Sequence, residues 1–214
     1  MKLSKAHFIK DLETKLGPIY SFFAEESIQI SELTDEVIKK AKLAGFEDKQ
    51  THIITKDTDW SFLSSENENF DLFGSKKIVE VKLIGTGPGN KGSKAIKDYC
   101  LDADENKLLI ISAERLEKKQ QTSAWAKALG ESGIFVVEPP VNKSSMPGWI
   151  KTKASSLNLN LDVQAIQLLS EKTEGNLLAA SHELMKLSLL FSEQEITLEN
   201  MEKSISNSSK FGIF

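Results

Sequence analysis

"KLLIIS", residues 107–112, is a nearly unbroken apolar run bounded by polar residues. A strand of that composition has no water-facing side, so it must lie inside a sheet covered on both faces. Covering both faces takes helices, and the flanking sequence supplies them. "AHFIKDLETKL" (6–16) places Phe8, Ile9, Leu12 and Leu16 on one helical side, and Gly17-Pro18 stops it. "IYSFFAEE" (19–26) is a short aromatic strand. "ISELTDEVIKKAKLAG" (30–45) is an amphipathic helix closed by Gly45. "THIIT" (51–55) reads as a strand, and "DTDWSFLSSENENF" (57–70) opens with an N-cap candidate at Asp57, Thr58 or Asp59. "KIVEVKLI" (77–84) is a strand and "KAIKDYCLD" (94–102) a helix. After 107–112, residues 116–132 read as one helix and "GIFVVEPP" (133–140) as a last strand. Five strands alternating with helices predict an α/β domain with a mostly parallel sheet.

Beyond Pro140 the pattern changes. "VNKSSMPG" (141–148) reads as a linker. Helical spacing follows at 149–156, 162–173, 176–191 and 197–205, with no strand signal. The expected division is an α/β domain over 1–142 and a small helical domain over 143–214. The apolar end "SSKFGIF" reads as a cut through a longer protein.

Charge and composition exclude several functions. The net charge is −4, so the surface as a whole does not attract nucleic acid. Of 27 basic residues only Arg115 is an arginine, which removes bidentate guanine readout as a general strategy. Any transition-state arginine would have to be Arg115. A single cysteine, Cys100, gives no disulfide framework. His7, His52 and His182 lack ligand spacing. No signal peptide or membrane-length apolar run is present, so a soluble, cytoplasmic protein is expected.

"GTGPGNKGSK" (85–94) contains G-x-G-x-x-G at Gly87, Gly89 and Gly92. A dinucleotide fingerprint belongs after the first strand, and this loop follows the third. As a phosphate loop it fails by order, since Gly92 is followed by Ser93-Lys94 rather than Lys-Ser. It reads as a connection between strand and helix. The position proper to a phosphate loop holds "FFAEESIQIS" (22–31), where Glu25 and Glu26 repel phosphate. "VEVKLIG" ends without a metal-holding acid, and "LLIISAE" offers only Glu114. No cofactor is expected. A nucleotide-dependent enzyme using residues 85–94 is the alternative reading.

"ENENFDLFGSKK" (66–77) sets Phe70, Leu72 and Phe73 among polar residues. Such a trio either closes a core or fills a partner's pocket. A purely architectural subunit follows from the first reading.

At this point the chain resembles a known family, the delta subunit of bacterial DNA polymerase III, part of the clamp loader. The matching stretches are "DTDWSFL", "FDLFGSKKIVEVKL", "NKLLIISAERLEKKQQTSAWAKAL", "PGWIKTKASSLNLNLD" and "EGNLLAASHELMKLSLL", in order along the chain. The resemblance implies an AAA+-like (P-loop NTPase-like) α/β domain without a working phosphate loop, then a helical lid. A third, collar domain that joins the other loader subunits would be absent from this chain. It implies a non-catalytic subunit of the polymerase holoenzyme that binds and opens the ring-shaped sliding clamp. It implies DNA contact only in the assembled complex, and no membrane. The clamp contact would fall on Phe70, Leu72 and Phe73, with Asn69, Asp71, Ser75, Lys76 and Lys77 as neighbouring candidates. "NFDLF" is also similar to the general clamp-binding peptide, departing from it at Asn69 and Phe70.

Overall fold

The structure is a computed structural model that describes residues 1–55, 58–64, 76–85, 87–191 and 195–203. It divides into two compact units, Met1–Pro140 and Val141–Phe214.

The first unit runs β1 (Lys2–Leu3), α1 (Lys5–Thr14), β2 (Ile19–Ala24), α2 (Ser27–Leu43), β3 (Asp48–Ile54) and a 3-10 turn (Ser61–Leu63). It continues through β4 (Lys77–Leu83), α3 (Gly89–Leu101), β5 (Lys107–Glu114), α4 (Lys118–Gln121), α5 (Ala124–Ser132) and β6 (Ile134–Val137). The strands form one sheet in the order β1-β6-β2-β5-β4-β3, and every pair is parallel. Five strands are expected from the sequence and six are found. The sixth, β1, has two residues and pairs with β6, too short for alternation to show.

The apolar run of β5 lies at the centre, between β2 and β4, and seven of its eight residues are buried. One sheet face carries Tyr20, Phe22 and Ile110 against Phe8, Leu33 and Val37 of α1 and α2. The other carries Phe23, Leu109 and Ile111 against Ile96 of α3 and Trp125 and Leu129 of α5. The continuous hydrophobicity of β2 and β5 thus has its physical cause in two helical layers.

Helix ends follow local chemistry. α2 stops in a Schellman turn, in which Phe46 N–H donates to Ala41 C=O at 3.1 Å and Gly45 N–H to Lys42 C=O at 3.1 Å. The segment read as one helix over 116–132 is two. Ser123 turns its hydroxyl back onto Gln120 C=O at 2.6 Å, and the chain breaks at Thr122–Ser123 before α5 begins. The helix expected at 94–102 begins at Gly89, so the last six of the ten residues of the glycine stretch are helical.

The second unit holds α6 (Met146–Ser156), β7 (Asn160–Leu161), α7 (Val163–Thr173), α8 (Leu177–Leu190), β8 (Glu195–Ile196) and helical residues 198–203. Strands were not expected here. β7 and β8 pair parallel over two residues each. "EGNLLA" has a plain structural meaning. Glu174 and Gly175 take left-handed backbone that ends α7, and the Asn176 side chain caps α8 by accepting from Ala179 N–H at 2.9 Å. Asp162 does the same for α7 at Ala165 N–H, 2.6 Å, and its other oxygen accepts from Leu198 N–H at 3.3 Å. Ile150, Leu169, Leu177, Leu184 and Ile196 are buried in this unit.

Candidate functional site

In a parallel α/β sheet, ligands meet the carboxyl ends of the strands. β2 ends at Ala24 and α2 starts at Ser27, so only Glu25 and Glu26 lie between, both exposed. No side chain caps α2 at Glu26. The neighbouring β5 ends in exposed Glu114, and the next residue, Arg115, adopts left-handed backbone (φ 52°). Arg115 N–H donates to Ala24 C=O at 2.7 Å, which ties this corner to the turn. β4 ends at Leu83, followed by Ile84 and Gly85, with no acid. Carboxylates thus stand where phosphates would sit, and the strand end that should hold a metal has none. Among the described residues no group of three or more His, Cys, Asp or Glu is placed to hold a metal ion.

Beside this corner, between α2 and strands β3 to β5, lies a cleft of about 530 Å³. Its residues include Thr34, Lys49, Glu80, Lys82 and Ser112. Glu80 is 4% exposed. It receives Lys49 at 2.8 Å, Thr51 at 3.0 Å and Lys82 at 3.4 Å. Burial by itself raises its pKa. The hydrogen bonds from Lys49 and Thr51 and the two lysine charges outweigh that and hold the carboxyl below its ordinary value. Sequence reading did not single out Glu80. The signal available was one carboxylate inside an otherwise apolar strand, "IVEVKL".

The sign of the pH effect follows. An unfolded glutamate titrates in the ordinary carboxylate range, above Glu80 in the folded protein. As pH falls, the unfolded chain takes up the proton first. The stabilisation is therefore complete above the ordinary carboxylate range and is lost as pH drops through the lowered folded value. Glu80→Gln is expected to cost about 1–3 kcal/mol at neutral pH, toward the low end because both lysines are substantially exposed. It should also flatten the acid limb of stability. Thermal midpoints of both proteins against pH check this, and parallel acid limbs would exclude Glu80 as the titrating group.

The glycine stretch is now explicable. Gly85, Gly87 and Gly89 have φ of 84, 102 and 68°, so they turn the chain from β4 into α3. Gly92 has a different task. A Cβ there would stand 2.4 Å from the Trp60 ring. The motif's last glycine thus accommodates an indole and serves packing.

Of the residues expected to meet the clamp, Phe70, Leu72 and Phe73, with Asn69, Asp71 and Ser75, lie outside the described residues. Lys76 and Lys77 are placed. Lys76 is exposed, its Nζ donates to Ala44 C=O at 3.2 Å, and it sits 5.4 Å over the Phe46 ring. Lys77 opens β4, and its N–H donates to Asn106 C=O at 2.8 Å. On the other flank, Asp59 receives Ser61 N–H at 3.1 Å and Ser61 Oγ at 2.7 Å. Of the three N-cap candidates, Asp59 thus serves the 3-10 turn, and Asp57 is outside the described residues. No helix among the described residues is long and apolar enough to cross a membrane.

The sheet order β6-β2-β5-β4-β3, flanked by helices and followed in the chain by a helical unit, is an AAA+-like fold. The chain belongs to the DNA polymerase III delta subunit family. The model of that family, described as DNA polymerase III, delta subunit, matches residues 20–138. DNA polymerase III subunit delta of Escherichia coli K12 is 30% identical over 203 residues, covering 95% of this chain and 59% of that protein. The Haemophilus influenzae subunit delta is 26% identical, covering 93% and 58%. The chain therefore spans about three fifths of the length of these curated relatives. Among solved structures, the Bacillus subtilis DNA clamp loader delta protein superposes with a TM-score of 0.71 at 17% identity, covering 92% of this chain and 61% of that one. The RuvB Holliday junction branch migration motor of Thermotoga maritima gives 0.50 at 12% identity, covering 95% and 69%. These two likenesses speak to the fold.

Proposed function

We propose that this chain binds the ring-shaped sliding clamp and helps to open it, as a non-catalytic part of a cytoplasmic clamp loader. Residues 1–142 are the AAA+-like domain that carries the clamp contact, and 143–214 the lid. Phe70, Leu72 and Phe73 fill an apolar pocket on the clamp. Each such side chain contributes roughly 1.5–3 kcal/mol when fully buried, so two or three suffice for useful affinity after association costs. Opening a ring requires binding its open form better than its closed one. That takes a second contact beside the apolar one, for which Ser75, Lys76 and Lys77 are the candidates. Other loader subunits supply the ATP and join through a further domain, and DNA is met only in the assembled complex.

The observation that carries this reading is the two-residue turn between β2 and α2. A nucleotide-motor sheet whose phosphate position is occupied by Glu25 and Glu26 is suited to binding a partner and not to hydrolysis. Calorimetric titration of the chain with ATP and Mg²⁺ is expected to show no saturable heat. Micromolar binding that disappears when Lys91 or Lys94 is replaced would return the function to the glycine stretch.

A further inference from the structure

Among the described residues, helices cover one face of the first unit's sheet over only part of its width. α1 and α2 pack on Tyr20, Phe22 and Ile110 of β2 and β5. β3 and β4 continue that face. β4 contributes Ile78, Glu80 and Lys82 to it, and β3 contributes Lys49, Thr51 and Ile53, since side chains alternate along a strand. Lys49, Thr51 and Ile53 are all exposed, Ile53 to 58%. On the opposite face of β3, Ile54 is buried with Trp60 and Leu63, and His52 stacks on Phe62 at 3.8 Å. The sheet edge thus has a layer on one side and, among the described residues, none on the other. The cleft of about 530 Å³ is this open corner, with α2 as a wall and β3 to β5 as its floor. α2 lines it with Ser27, Ile30, Ser31, Thr34 and Asp35, whose spacing of three and four is one side of a helix. Ile84, also in the lining, is 64% exposed. Thr34 is 4% exposed, and its Oγ1 has no hydrogen-bond partner among the described residues.

We propose that this cleft docks a basic amphipathic helix of a partner protein, which lies beside α2 and completes the layer over β3 and β4. The proposal does not depend on Phe70, Leu72 and Phe73 meeting the clamp. A stretch of sheet that exposes isoleucine is stabilised by covering it, and helices are what cover a parallel sheet. Charge selects the kind of helix. Lys49 and Lys82 are already held by Glu80, at 2.8 and 3.4 Å. Asp35 and Glu114 also line the cleft, are exposed and have no ion pair among the described residues. Glu25 and Glu26 adjoin them at the start of α2, with Arg115 as an opposing charge. The free charge around the mouth is therefore negative, which favours lysine or arginine on the occupant and repels phosphate or an acidic peptide. Apolar side chains of the docked helix meet Ile53 and Ile84, and the basic ones beside them meet Asp35 and Glu114. Strand ends that meet a phosphate in a nucleotide-binding sheet here meet a protein.

The test uses two fluorescent synthetic helices, one with leucine on one side and lysine on the other, and its counterpart with glutamate in place of lysine. Each is titrated with the chain and followed by anisotropy. The lysine peptide is expected to bind saturably and at least about tenfold more tightly than the glutamate peptide. Ile53→Ser/Ile84→Ser should weaken the lysine peptide about tenfold or more. Asp35→Asn/Glu114→Gln should weaken it too and reduce its dependence on salt. Leu101→Ser and Leu189→Ser, at leucines 87% and 84% exposed and outside the lining, should leave its affinity unchanged. Absence of saturable binding overturns the proposal, as does equal affinity for the two peptides. Wild-type affinity in folded Ile53→Ser/Ile84→Ser overturns it, and so does an equal loss in either leucine variant. Should Ile53→Ser/Ile84→Ser not fold, wild-type affinity in Asp35→Asn/Glu114→Gln overturns it equally. No clamp is present in this titration, so its outcome is separate from that of Leu72→Ala/Phe73→Ala.

Discussion

Replacing Leu72 and Phe73 together by alanine is expected to abolish clamp binding while leaving the thermal midpoint almost unchanged. The proposed function requires these side chains to be exposed in the free protein and buried only against the clamp. An interface hot spot is worth at least about 2 kcal/mol per anchor. Loss of both thus weakens binding by roughly a thousandfold. Were the same residues part of the core, truncating both would cost roughly 5–10 kcal/mol, most of a domain's stability. The alternatives differ in which of two measurements moves. A variant that unfolds returns Leu72 and Phe73 to the interior. A folded variant that still binds the clamp at wild-type affinity removes them from the mechanism.

The largest stability effect is expected at Gly133→Ala. This glycine follows α5 and precedes β6, and its N–H closes α5 on Leu129 C=O at 2.9 Å. A Cβ would stand 2.3 Å from the Ile19 carbonyl oxygen and 2.7 Å from the Ile19 Cβ. The obstacle is the backbone of β2, which is hydrogen-bonded between β5 and β6 and cannot swing away as a side-chain end would. Relief requires β6 or α5 to separate from β2, opening the core around Phe23 and Phe135. Overpacking commonly costs 1–3 kcal/mol, and a clash with central backbone should reach about 3 kcal/mol or more. Denaturant titration measures it. A loss below about 1 kcal/mol would show that the α5–β6 joint yields easily.

The sheet was legible because burial on both faces writes long apolar runs, as in β5, and because helix ends carry local marks such as Gly45 and Asn176. Elements of two residues, β1, β7 and β8, leave no period to read. The break at Thr122–Ser123 was hidden by an apolar spacing that continues across it. The glycine stretch reads as a connection, and its continuation into α3 is not legible in the sequence because glycines weigh against helix. Gly92 is favoured by an indole 32 positions earlier in the chain, and a contact of that kind has no local signature. The proposed clamp contact rests on a family likeness around "FDLF", while the aromatic packing at Trp60 and the ion cluster at Glu80 emerge only when strands and helices are brought together.

The turn between β2 and α2 also bears on what it would take to place a phosphate loop in this sheet. Exchanging Glu25 and Glu26 for a lysine and a threonine would correct the charge and still leave a corner too tight to wrap a triphosphate, since the phosphate-loop pattern needs several loop positions before its helix begins and only two stand between β2 and α2. Building a phosphate loop at this corner would therefore take an insertion. Side-chain exchange alone does not supply it, since the obstacle is the length of the connection, which substitution leaves unchanged.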